Sequence, residues 1–169
     1  MRAAAVAIAL AAAAAGCMKP DRSGAKVELA DARLEMVQQD GTKHVLSLSA
    51  TGALAFDGET FATITADSRL LVGGKETGKL EKDGVLWAQG VPSNVVIKPG
   101  GTFVMNGVDE VRLDEDGVAT GPLLATMDHP RMDLDGAKVT YVGPPGARRP
   151  LMTGFAAFVT RTPLEPAPK

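Results

Sequence analysis

The stretch DHPRMDLDG, Asp128 to Gly136, gathers three carboxylates and a histidine in a short span. Calcium takes six to eight oxygen ligands, usually from a loop bent by a glycine. Asp133-Leu134-Asp135-Gly136 has the beginning of such a loop. It lacks a further acid before the glycine and a glutamate to close the cage. Asp114-Glu115-Asp116-Gly117 has the same gap. Asp and Gly also start tight turns, because both tolerate the backbone conformations that turns need. The turn reading is therefore preferred, with Asp128, Asp133 and Asp135 kept as incomplete metal candidates.

Nucleophilic catalysis needs a hydroxyl or thiol, a histidine base and an orienting acid. The chain has two histidines, His44 and His129. His44 precedes Ser47 and Ser49 on a strand-like run, but no G-x-S-x-G elbow presents a serine. His44 reads as a surface strand residue and His129, before Pro130, as a turn residue. Gly73-Gly74-Lys75 lacks the remainder of a phosphate-binding loop. Seven aromatic residues, one of them Trp87 and one Tyr141, give little material for a glycan platform. Trp87, in GVLWAQG, reads as core. No residue is assigned a catalytic role, and the expectation is a protein that is not an enzyme. The net charge of −2 and the lack of a basic block give no electrostatic basis for nucleic-acid binding.

The single cysteine, Cys17, follows an apolar run from Ala3 to Ala15 that begins just after Arg2. That is the layout of a signal peptide. The run is shorter than the roughly 20 apolar residues of a membrane-spanning helix. A lone cysteine cannot form an internal disulfide. Ala14-Ala15-Gly16-Cys17 resembles the lipobox of bacterial lipoproteins, with Ala14 where that family favours leucine. The resemblance implies cleavage between Gly16 and Cys17 and a diacylglycerol on the Cys17 thiol, with a further acyl chain (palmitate, for example) on its amine. Two chains make a stable anchor, since each buried methylene contributes about 0.8 kcal/mol. No other cofactor is expected. In lipoproteins of diderm bacteria an Asp after the cysteine often holds the protein at the inner membrane; with Met18 there, the resemblance implies the outer membrane over the inner one.

Beyond residues 1–16 as signal peptide, residues 17–25 read as lipidated cysteine and polar tether. Residues 26–161 read as one domain, and 162–169, with three prolines, as a loose tail. Asp-Gly recurs at Asp40, Asp57, Asp83, Asp116 and Asp135, supported by Gly73-Gly74, Gly100-Gly101 and Asn106-Gly107. These pairs suit hairpin turns. VLSLSA and VDEVRL alternate between apolar and polar. Val95-Val96-Ile97 reads as a strand buried on both faces. The whole predicts a mostly β fold: an antiparallel meander, sandwich or small barrel with little helix. The Asp-Gly intervals are uneven, so the repetition reads as one of turn type and not of a fixed unit. Val27 to Gln39 fits a helix or a pair of strands. Ala147 to Thr160 predicts a turn of helix and a closing strand or core plug, with Pro150 and Gly154 as interruptions. The strands look too short for a membrane barrel, whose strands need about 9–11 residues. The mature part is loosely similar to uncharacterised lipoproteins of diderm bacteria rich in Asp-Gly hairpins. The expected role is structural or protein-interacting: a domain held at the membrane by its lipid and facing an unknown envelope protein in the periplasm. The alternative is a small-ligand or calcium-binding lipoprotein.

Overall fold

The computed structural model describes residues 23–161, except for the side chains of Asp109 and Asp128. Cys17, the lipobox and the Pro-rich tail lie outside the described residues.

Eleven strands follow one another as a simple antiparallel meander. They are β1 (Ala32–Val37), β2 (Lys43–Leu48), β3 (Ala53–Phe56), β4 (Glu59–Ile64), β5 (Arg69–Val72), β6 (Lys75–Leu80), β7 (Val85–Ala88), β8 (Val91–Ile97), β9 (Phe103–Met105), β10 (Asp109–Leu113) and β11 (Ala119–Thr120). After β11 the chain makes a 3-10 turn and a small hairpin, β12 (Asp128–His129) and β13 (Met132–Asp133). It then returns as β14 (Lys138–Val142), which pairs with β1 and completes a twelve-stranded sheet. A bridge between Val118 and Thr140, with the Tyr141 N–H donating to Gly117 O at 2.7 Å, draws β11 towards β14. The sheet thereby forms a nearly closed barrel.

The sequence contains a fixed unit that the Asp-Gly intervals hide. Turns at Gly52, Ser68, Gly84, Gly101 and Gly117 stand 16 or 17 residues apart, all at positive φ. The opposite ends of the hairpins turn at Gly41, Gly58, Gly74, Gly90 and Gly107 with the same spacing. Two rows of buried side chains follow it: Leu48, Ile64, Leu80, Ile97 and Leu113, then Leu54, Leu70, Leu86, Phe103 and Ala119. The reading of a turn type without a fixed unit is thus corrected. Asp-Gly marks only some of the turns, because Ser68 takes a positive φ of 59° and several others lack the aspartate. Each unit is a hairpin whose inward residues alternate with outward ones, as the pleat requires.

The barrel is filled by α1 (Arg148–Thr160), in which every residue from Pro150 to Phe158 is buried. A helix apolar on all sides can be stable only inside a core. Pro150 does not interrupt it, because in the first turn its missing N–H would have had no intrahelical acceptor. Gly154 allows close approach: a Cβ there would lie 2.5 Å from Leu54 Cδ2. The expected core plug is present, and it is the whole helix, with no closing strand. No side chain caps its N-terminus. Arg149 Nε and Nη2 donate to Ile97 O at 3.2 and 3.0 Å, and Arg148 donates to the carbonyls of Asp114 and Glu115. These bonds fix the helix start to the turns at Gly101 and Gly117.

Three further readings are corrected. Val27 to Gln39 holds a single strand, β1, after an extended lead-in, and neither a helix nor two strands. Val96 is half-exposed on the outer wall between inward Val95 and Ile97, so β8 is not buried on both faces. Trp87 also faces outward, because Leu86 and Ala88 take the inward positions of β7.

Candidate functional site

The two histidines, separated by 85 positions in the chain, converge on one aromatic cluster. β2 carries His44 near the rim where the turns at Gly41 and Gly58 lie. Its ring stacks on Phe56 with centroids 5.3 Å apart. Phe56 stacks on Phe158 of α1 at 4.5 Å, and His129 stacks on Phe158 at 4.4 Å. The β12–β13 hairpin therefore lies across the C-terminal end of α1. The guanidinium of Arg131, in the turn of that hairpin, sits 4.9 Å from the Phe56 ring centroid. Such a cation over an aromatic face contributes about 0.5–1 kcal/mol at an exposed site.

His44 is not a surface strand residue. Its alternation with Leu46 and Leu48 turns it inward, and its side chain is 14% exposed. His44 Nδ1–H donates to Asp57 Oδ2 at 2.8 Å, and the Val45 N–H donates to Asp57 Oδ1 at 2.8 Å. Burial alone would raise the Asp57 carboxyl. The hydrogen bonds from His44 and Val45, together with the charges of His44 and Arg131, outweigh it and hold the pKa below the ordinary carboxylate value. His129 is buried, at 6% exposure. Its Nδ1 accepts the Arg131 N–H at 3.2 Å, which puts the proton of the neutral ring on Nε2. Arg131 also reaches Glu59 Oε2 at 3.5 Å.

Beside this cluster is an open cleft of ≈ 600 Å³, with Gln38, Thr42, His44, His129, Arg131 and Asp133 among its lining residues. It offers a guanidinium, a carboxylate and two imidazoles, a set suited to holding a small polar ligand. His44 and Asp57 form a base–acid pair, but Ser47 and Ser49 are not beside it. Ser47 alternates outward, and Ser49, at the other rim, bonds Thr51 Oγ1 at 2.8 Å.

Of the metal candidates, Asp133 is opposite Asp128 in the β12–β13 register. Asp133 Oδ1 accepts the Asp135 N–H at 2.9 Å, and the Asp135 carbonyl accepts from Gln39 Nε2 at 3.2 Å. This is the geometry of an Asx turn. Among the described residues no three His, Cys, Asp or Glu side chains are grouped to hold a metal ion.

Asp57 and Arg131 carry little functional signal in the sequence. Asp57 is legible there only as a turn residue, yet the hairpin of β3 and β4 sets it beside β2. Arg131 has no signal of its own, since its partner Phe56 comes from a distant strand. Comparison with protein-family models, curated proteins and solved structures found no match for this chain.

Proposed function

We propose that this chain is a lipid-anchored, non-enzymatic protein of the cell envelope that works by surface contact. In this reading Cys17 carries the lipid, the anchor holds the domain at the outer membrane facing the periplasm, and the barrel meets an envelope protein. One observation carries the surface-contact part: α1 occupies the interior, from Pro150 to Phe158. Barrels that carry ligands hold them in that space. What remains for recognition is the outer wall and the rims.

The geometry favours one rim. The described chain enters beside the Ser68 turn, where Gly24 bridges Glu81 and the Ala25 N–H donates to Leu80 O at 2.9 Å. A tether from Cys17 would leave from that end. At the opposite end, Val91 and Val108 are 61% and 78% exposed at the tips of neighbouring hairpins. Exposed aliphatic side chains at adjacent tips suit contact with a protein.

The test begins with Cys17→Ser in cells fed labelled palmitate. Label and membrane association lost together with the thiol support the anchor; a soluble, unlabelled wild type overturns it. In-cell crosslinking of the wild type, compared with Val91→Asp/Val108→Asp, tests the contact. A discrete crosslinked partner that disappears in the double variant is the expected result. A wild type that stays alone under crosslinking counts against the reading.

A second reading is small-ligand binding, favoured by the convergence of His44, His129 and Arg131 on the open cleft. Calcium at Asp128, Asp133 and Asp135 belongs to the same alternative. A melting temperature that rises at millimolar calcium would support the metal version; an unchanged one removes it.

A further inference from the structure

Four tips of the open rim place two successive residues at positive φ: Asp57-Gly58, Gly73-Gly74, Gln89-Gly90 and Asn106-Gly107. Two-residue hairpin loops demand that conformation. Asp57 and Asn106 are closely matched. Their φ values are 51° and 54°, and those of the glycines after them are 83° and 76°. The Asp57 N–H donates to Val45 O at 2.8 Å, and the Asn106 N–H donates to Asn94 O at 3.0 Å. The same turn thus forms with a carboxylate in one unit and a carboxamide in another.

Asn106 differs from its counterparts in chemistry. Among the four, its side chain alone is a carboxamide spaced to close a five-membered ring with the next backbone nitrogen. Asn106 is exposed, and a Cβ on Gly107 would meet nothing within 4 Å. With no side chain on Gly107 and nothing packed against it, the tip has little to resist local opening. One contact does hold the carboxamide: Asn94 Nδ2–H donates to Asn106 Oδ1.

We propose that Asn106-Gly107 is a site of spontaneous, one-way modification that turns Asn106 into an acidic residue. Hydroxide takes the proton of the Gly107 N–H, and the nitrogen attacks Asn106 Cγ. The new C–N bond closes a cyclic imide, and the bond from Cγ to the side-chain nitrogen breaks. That nitrogen takes a proton from water and leaves as ammonia. Water then opens the imide, its hydroxyl going to a carbonyl carbon and its proton to the nitrogen. Opening at Cγ gives an aspartate with the original backbone. Opening at the main-chain carbonyl gives an isoaspartate, with an extra methylene in the chain. The aspartate product suits the turn, since Asp57 occupies its equivalent and Asn94 keeps an acceptor. Conversion adds a negative charge beside Val108. Its effect on a partner rests on the surface-contact reading; the modification itself does not.

The test holds the full purified chain in mildly acidic and mildly alkaline buffer and maps its peptides by mass spectrometry. The expected result is the mass gain of deamidation at Asn106, faster in alkali, with both products resolved. Asn94, the only other asparagine, should stay unmodified, because β8 holds it and the bulky Val95 follows. Asn94→Ala releases the Asn106 carboxamide and should speed conversion severalfold. Asn106→Asp should keep the melting temperature of the wild type. A folded protein that gains no mass at Asn106, or gains it equally at Asn94, overturns the proposal. So does a rate that is the same in acid and alkali, since ring closure needs the deprotonated nitrogen. A lower melting temperature in Asn106→Asp would show that the turn does not accept the product.

Discussion

The two rims of the barrel are built from the same turn but live in different surroundings. At one rim the turns pack. A Cβ on Gly52 would lie 2.0 Å from the Ile64 carbonyl oxygen, and one on Gly84 would lie 2.7 Å from that of Ile97. The turn carbonyls are used as well: Ile64 N–H donates to Gly52 O, Leu80 N–H to Ser68 O and Ile97 N–H to Gly84 O, at 2.8 to 2.9 Å. These bonds lace one hairpin to the next, and the arginines of α1 fix the helix to the same rim. At the other rim, Gly41, Gly58, Gly74, Gly90 and Gly107 would each carry a Cβ into open space. One end of the unit is thus committed to holding the barrel together. The other is released from that duty, and it is where Val91, Val108 and the two histidines stand.

This contrast can be broken or sharpened by substitution, with urea or thermal unfolding as the readout. The largest effect is expected at the packed rim. Gly52→Ala adds a steric collision with a backbone oxygen to the cost of a positive φ, and should destabilise by about 2–5 kcal/mol. Gly74→Ala, at a similar φ but with nothing nearby, should cost only about 1–2 kcal/mol. Equal losses at the two positions would show that conformation alone matters and that the rims do not differ.

A smaller effect is expected from Ser68→Ala. Ser68 Oγ donates to Ala25 O at 2.7 Å in a fully buried setting. Losing that bond should cost about 0.5–1.5 kcal/mol and loosen the extended lead-in to β1. Faster hydrogen exchange confined to residues near Ala25 and Val27 would mark it; unchanged exchange would show that backbone pairing alone holds the lead-in.

The smallest effect belongs to Asp57→Asn at the open rim. The folded Asp57 pKa lies below its ordinary value, so its ionised form is favoured by folding. That stability is present above the unfolded pKa, near 3.8, and is lost as pH falls through the folded one. The wild type should therefore lose stability relative to Asp57→Asn as pH drops through about 4 and below. Parallel acid-unfolding curves for the two proteins would show that the His44–Asp57 pair contributes nothing to stability.

Several elements are legible in the amino-acid sequence because they are local. The pairs at Asp40, Asp57, Asp83 and Asp116 turn hairpins, as does Asn106-Gly107, since a positive φ is a demand made by a few neighbouring bonds. Leu46 with Leu48, and Val111 with Leu113, face inward as their alternation requires. The helix is less legible. The pattern from Arg148 to Thr160 has no polar face to reveal its period, and Pro150 and Gly154 look like breaks when read without a surrounding barrel. The fixed unit is obscured because its turns share a conformation rather than a residue pair. Candidate chemistry is the least legible of all. Asp133 and Asp135 are visible as a short motif, whereas Asp57 and Arg131 owe their position to strands far away in the chain.

The amino-acid sequence by itself determined the mostly β character, the hairpins marked by Asp-Gly or Asn-Gly pairs and the inward faces of runs such as Leu46 with Leu48 and Val111 with Leu113, because each depends on interactions within a few residues. Its leader-like start and Cys17 are read from the sequence alone and await the labelling experiment. Only the tertiary structure decided that the meander closes around α1, that Trp87 faces outward, and that His44, Asp57, His129 and Arg131 meet around Phe56 and Phe158. Those outcomes depend on the curvature of a twelve-stranded sheet and on burying a helix that is apolar on every side. Both are properties of packing, which no short stretch of chain carries.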